Sequence, residues 1–165
     1  MTRAVVHLLG LREVTGEIDA RLIAAIGEVF GDDFTRVRFW QVRPGTVADR
    51  VAHWYGPAAA WAWTGNVIYP VGREAAYLGL NEIVVPAHVS TVAHELWHVR
   101  DYRRAGAVRW SVRFLRELRR RGLAGMIDAP HEVAAREAAA RFVASPHYAA
   151  LVAACREDED TESAV

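Results

Sequence analysis

"TVAHELWHVRDYRRAG", residues 91–106, is the stretch on which the reading of this chain turns. Within it stand His94, Glu95 and His98. Residues four apart on a helix share a face, so the two imidazoles can be directed at one point. Glu95 can reach a water at that point without itself competing for an ion. Two imidazoles and an adjacent carboxylate are what metal-assisted hydrolysis requires, and zinc suits such donors. The pattern needs context, because 7 His and 12 Glu in 165 residues would produce it in a shuffled chain with a probability of about 2%.

Two histidines leave a zinc site incomplete. A catalytic site takes three protein ligands and keeps one position for water. One arrangement places a third His six residues past the second, after a glycine turn. Here those positions hold Asp101 and Arg104, so that class is excluded. The other arrangement draws a carboxylate from a later helix, and "PHEVAAREAAARF", residues 130–142, offers Glu132 and Glu137. Five positions apart, they lie about 140° around a helix and cannot both face one ion. Ala135 and Ala139 follow Glu132 at i+3 and i+7, and small residues there would let this helix approach the motif helix closely. Glu137 sits on a more polar flank, where Arg141 at i+4 can pair with it. Glu132 is therefore the favoured third ligand, with Glu137, Asp128 and His131 as alternatives.

Composition narrows the class. At 165 residues, 52% of them apolar, the chain can bury a core of its own and reads as globular. Formal net charge is zero, so no global field recruits nucleic acid or membrane. All 20 basic residues are Arg, an expected effect of genomic composition. A lone Cys155 can build neither a disulfide framework nor a cysteine zinc site. No apolar run reaches membrane-spanning length. The opening "MTRAVVHLLGLREVTGE" is a poor signal peptide, so the expected location is the cytoplasm as synthesised. Export by a machine that needs no signal peptide stays open.

The pattern along the chain predicts an α+β order, strands first and helices later. "TGEIDARLIAAIGEVFG" reads as a helix capped by Thr15, with Ile18, Leu22, Ile26 and Val29 or Phe30 as its apolar stripe and Gly31 as its stop. "FTRVRFWQV" reads as a strand with Val37 and Phe39 on one face, and a short helix follows Thr46. "AAAWAWTGNVIYPV" reads as two strands about a Thr64-Gly65-Asn66 turn. "NEIVVPA" is expected to be a short strand ended by Pro86. The motif helix should run from about Ala87 or Ser90 to Arg104, a basic helix should close at Gly122, and another should begin near Pro130. A last short helix is expected from Ser145-Pro146. Residues 1–155 are expected to form one domain, and 156–165, "REDEDTESAV", an acidic disordered tail.

Four pieces, "FGDDFTRVRF", "AWAWTGNVIYP", "TVAHELWHVRDYRRAG" and "HEVAAREAAARF", occur in that order over roughly residues 29 to 143. Together they resemble the eCIS core domain family, gluzincin-like metallopeptidases named for their link to extracellular contractile injection systems. The resemblance implies a minimal zincin-like fold, a small mixed sheet with the HExxH helix and C-terminal helices. It also implies His94, His98 and Glu132 as zinc ligands and Glu95 as catalytic base. The chain departs from the family at Val99-Arg100-Asp101-Tyr102, where a hydrophobic-Gln-Gln stretch is usual.

Further roles carry competing readings. Asp101 can hold a ligand imidazole's N–H, or pair with Arg104 or Arg100 at the surface. "WTGN" can form a sheet edge that pairs with an extended peptide, while Trp61 and Trp63 fill the core. His131, His147, Tyr148 and Tyr102 are candidate donors to a developing oxyanion; the sequence does not choose among them, and a structural role is the favoured reading of each. Nine Arg against Asp101 and Glu117 between Val99 and Arg121 make a basic stripe. It reads first as a solvated helix face partly neutralised by the acidic tail, and only second as a surface for nucleic acid or anionic lipid. The expected function is a zinc-dependent endopeptidase acting on a peptide or protein substrate. The alternative is a catalytically silent zinc-binding adaptor or payload of an injection system.

Overall fold

The computed structural model describes residues 6, 8–15, 18–46, 48–50, 61–63, 66–69 and 83–163. The chain is an α+β protein, with a small mixed sheet preceding a run of helices. The elements are β1 (Leu11–Glu13), α1 (Ala20–Phe30), β2 (Arg38–Val42), β3 (Trp61–Trp63), β4 (Asn66–Tyr69), α2 (Pro86–Ala105), α3 (Ala107–Arg121), a 3₁₀ turn (Ala124–Asp128), α4 (Pro130–Val143) and α5 (Pro146–Ser163).

Four strands lie in the order β1-β2-β4-β3. β1 pairs antiparallel with β2, β2 parallel with β4, and β4 antiparallel with β3. Alternation along β2 sends Phe39 to the main core and Trp40 and Val42 to the opposite face, where Leu11 and Leu9 cover them. The buried Trp40 indole donates to Asn66 Oδ1 at 2.9 Å, tying β2 to the start of β4. Trp63 stands opposite Asn66 at the hairpin end, as the turn signal implies; Thr64 and Gly65 themselves lie outside the described residues.

The main core gathers Ile26 and Phe30 of α1, Val37 just before β2, Phe39 of β2, Val92, Leu96 and Val99 of α2, and Phe142 of α4. The stripe expected for α1 is the buried one, with Val29 only partly so. Its cap differs from expectation: Asp19 accepts the Arg21 backbone N–H at 2.7 Å. Thr15 instead binds the sheet, its hydroxyl accepting the Phe39 N–H at 3.0 Å. Gly31 ends the helix at φ 64°, in the left-handed region that favours glycine.

Two further expectations are corrected. Pro86 does not end a strand; it opens α2, since a first helical position has no N–H partner to lose and wants the fixed φ of proline. Of the residues before it, Ile83 is in a helical turn and Val85 is the extended cap, while Asn81 and Glu82 lie outside the described residues. The acidic segment is likewise not a disordered tail, because α5 continues to Ser163 rather than stopping short. Leu151 and Cys155 are buried on its inner side, and Asp158 meets Arg21 of α1 at 2.8 Å. An apolar stripe anchoring the first turns lets the polar turns propagate the helix at little further cost. Of the expected helix after Thr46, only residues 48–50 are described, and they are helical.

Candidate metal centre

α2 and α4 pack against each other through the faces that small residues permit. Ala93 of α2 and Ala135 and Ala139 of α4 are fully buried. With no side chain beyond Cβ on that face of α4, the two backbones come close enough for short ligands to meet between them. Only Gly106 separates α2 from α3, at φ 77° and ψ 153°, a backbone conformation that other residues avoid. That sharp corner brings Arg113 of α3 back to Asp101 of α2, and α4 then returns along α2.

His94 and His98 sit one turn apart on α2 with their Nε2 atoms 3.0 Å from each other. Glu132, in the first turn of α4, closes the triangle. Its Oε2 is 3.1 Å from His94 Nε2 and its Oε1 is 3.3 Å from His98 Nε2. Ligand atoms about 2.0–2.1 Å from a tetrahedral ion lie roughly 3.3 Å from one another, so this triangle has the dimensions of a three-ligand metal site. The three side chains can hold a metal ion. Glu137, the competing carboxylate, is exposed, and Arg141, its expected partner, lies over the Trp97 ring instead.

Electrostatics agree with the geometry. Burial opposes ionisation of Glu132, yet hydrogen bonds and charge from His94 and His98 overcome it and hold the carboxyl far below the usual carboxylate range. Burial also opposes a charge on His98, but the Glu132 hydrogen bond and the charges of Glu95, Glu132 and Asp101 outweigh it and raise its proton affinity. Three lone pairs converging on one point repel unless something positive lies among them. The donor set therefore favours a cation. Glu95 itself is buried, close enough for its charge to act on His98.

Around this centre the other candidates sort themselves. Asp101 pairs with Arg113 of α3, rather than with Arg100, Arg104 or an imidazole N–H. His98 Nδ1 is buried with no hydrogen-bond partner among the described residues. Tyr148 is not an oxyanion donor, because its hydroxyl donates to the Ile83 carbonyl at 2.9 Å and pins the entry to α2. His147 is an exposed partner of Glu28 at 3.0 Å, and Tyr102 packs edge-on against Trp110. Of the four, only His131 reaches the centre, its Nε2 3.5 Å from Glu132 Oε1 and its ring 5.8 Å from that of His98. Burial lowers its proton affinity.

A feature the sequence reading missed stands behind His131. Trp110 and Phe114 of α3 stack with ring centroids 5.3 Å apart, and both contact the His131 ring. Their i, i+4 spacing on α3 was the available signal. A cavity of about 220 Å³ lies between α2, α3 and α4, bordered by Trp97, Asp101, Arg113, Glu117, His131 and Ala134. Glu117 is held by Arg121 at 2.7 Å, and that hydrogen bond keeps its carboxyl below the ordinary range.

No protein-family model matches the chain, and neither does any curated protein or solved structure. Among the described residues no helix is long and apolar enough to cross a membrane.

Proposed function

We propose that this protein is a zinc-dependent endopeptidase of zincin-like build, with His94, His98 and Glu132 as ligands and Glu95 as general base. The observation that carries this reading is the convergence of three donors from two separate helices to 3.0–3.3 Å of one another, next to a buried glutamate. A set of two imidazoles and one carboxylate is a recurrent donor set of catalytic zinc, which leaves a position open to water. Zinc bound there supplies Lewis-acid chemistry, polarising a carbonyl and acidifying water.

The residues of the chain supply the rest. Glu95 takes a proton from the attacking water and returns it to the leaving amine, so one carboxylate serves both halves of the hydrolysis. Its burial keeps solvent from competing for that proton. β3 forms one edge of the sheet and packs against α2, so an extended peptide can add as a further strand beside the ligands. The resemblance to the eCIS core domain family supports the same chemistry, and it points to an injection machine as the partner that would carry the protein to its substrate.

The test compares wild type with Glu95→Gln, both zinc-loaded, in a peptide-library digest. The amide cannot accept the proton, so turnover should fall 10²- to 10⁴-fold, about 3 to 5 kcal/mol of barrier. Zinc content and fold should be unchanged, since Glu95 is not among the ligands. Equal digestion by both proteins would leave the catalytically silent adaptor as the surviving description.

A further inference from the structure

The metal centre makes no use of the outer face of α3. Val108, Val112 and Leu115 recur there at i, i+4 and i+7, and they are 80%, 51% and 60% exposed. The partly buried Trp110, Phe114 and Leu118 already supply the inward side of the helix. The helix is thus apolar on two sides, of which the fold uses one. Single exposed apolar residues need no explanation, but three in line on one helix face form a stripe.

The charge around that stripe has one sign. Arg109, Arg116 and Arg119 are exposed and make no ion pair among the described residues. The only carboxylate of α3, Glu117, is buried on the other side and held by Arg121. Among the described residues no carboxylate of α5 pairs with an arginine of α3, and Asp158 pairs with Arg21 instead.

We propose that the outer face of α3 docks the protein on an anionic lipid surface. The helix lies in the headgroup plane, with Val108, Val112 and Leu115 at the acyl boundary. The guanidinium groups meet lipid phosphates, their aliphatic stems lying along the apolar stripe. A nucleic acid would satisfy the arginines but press Val112 and Leu115 against phosphates and water. A second copy offering the same face would bring like charges together. A bilayer surface satisfies both features at once. None of the ligands lies on this helix, so the proposal stands apart from the peptidase reading.

Vesicle co-sedimentation of the full-length, zinc-loaded protein tests it, using phosphatidylcholine vesicles with and without phosphatidylserine. Binding is expected only with phosphatidylserine, and it should weaken as salt screens the charges. The double variant Val112→Ser, Leu115→Ser should lose about tenfold in partitioning. Arg116→Gln with Arg119→Gln should lose binding and flatten the salt dependence. Thermal melting checks that each variant is folded, with the single variant Val108→Ser in reserve at the most exposed position. Failure to bind phosphatidylserine vesicles at low salt overturns the proposal. So does undiminished binding by the serine variants. Tighter binding to a DNA duplex, insensitive to those variants, would assign the face to nucleic acid. A dimer on size exclusion that the serine variants dissolve, without vesicle binding, would assign it to a second copy.

Discussion

Where α2 meets α4, charged groups are drawn inward and made to share a centre; on α3, one glycine further along the chain, charged groups are left facing outward with apolar residues among them. The first region can afford this because alanines bring the backbones together, and because two imidazoles and a carboxylate all gain from one cation. The second region has its internal charges matched in pairs, Arg113 with Asp101 and Arg121 with Glu117. Arg109, Arg116 and Arg119 remain on the outside with no ion pair among the described residues. Charge in a protein interior reports a ligand that compensates it, whereas charge on an amphipathic exterior reports a surface that has not yet been met.

The largest effect on stability should come from removing the cation. Metal bound only by the folded chain adds RT ln(1 + [L]/Kd), about 4 kcal/mol when free zinc is a thousandfold over Kd. Elemental analysis should find one zinc per chain, and a chelator should lower the melting temperature without unfolding the protein, because the core around Ile26, Leu96 and Phe142 does not depend on it. Glu132→Ala should lose zinc by more than the 10- to 100-fold that an outer-shell substitution typically costs, while Glu137→Ala keeps it. Ligand imidazoles bind metal only when neutral, so binding should tighten with rising pH. The sign for the metal-free protein is opposite. His98 has a raised proton affinity, so its contribution is complete below the ordinary histidine value and is lost as pH rises through the elevated one. The melting difference between zinc-loaded and chelated protein should therefore widen from weakly acidic to weakly alkaline pH. A constant difference would show that the ion is held elsewhere.

The next effect concerns the alanine face that makes the inward arrangement attainable. Ala139 is buried against α2, and Ala140 beside it is exposed. Ala139→Leu should cost about 1–3 kcal/mol by overpacking and should weaken zinc binding along with it, because α4 carries Glu132. Ala140→Leu should change neither. Melting curves and zinc titrations of the two variants separate the outcomes. A destabilised Ala139→Leu that binds zinc at full strength would mean that the helices need not approach closely for the ligands to meet.

The two regions were not equally legible in the sequence. His94, His98 and the Ala135–Ala139 face follow from helical periodicity, which is local, and they lead to Glu132 before any coordinates are consulted. Partners set by tertiary return were less accessible. Asp101 pairs with Arg113 because the glycine corner at 106 folds α3 back, a geometry that spacing along one helix does not encode. Tyr148 is one of four candidate donors among which the sequence does not choose, and its hydroxyl is structural, bound to the Ile83 carbonyl 65 residues away in sequence. Pro86 carries the same local signal whether it ends a strand or starts a helix. The acidic end of α5 looked unable to order itself, and alone it would be; it is helical because Leu151 and Cys155 anchor the turns before it.

The smallest expected effect sharpens the contrast from the other side. Leu115 on α3 is 60% exposed, whereas Leu96 on α2 is fully buried among the core residues. Replacing the buried leucine by alanine should cost about 2–5 kcal/mol, the usual range for a core leucine. Leu115→Ser has little packing to remove and should shift stability by no more than about 0.5 kcal/mol. The inner side of α3, where Trp110 and Phe114 lie against His131, supplies what that helix contributes to the fold. Denaturant melts at two protein concentrations make the comparison strict. A large loss for Leu115→Ser that appears only at the higher concentration would show the stripe already covered by another copy. A large loss at both would place it in the core of the monomer. A negligible loss at both leaves the stripe as surface whose role must be sought in what it binds, and it gives the vesicle experiment a folded variant with which to ask.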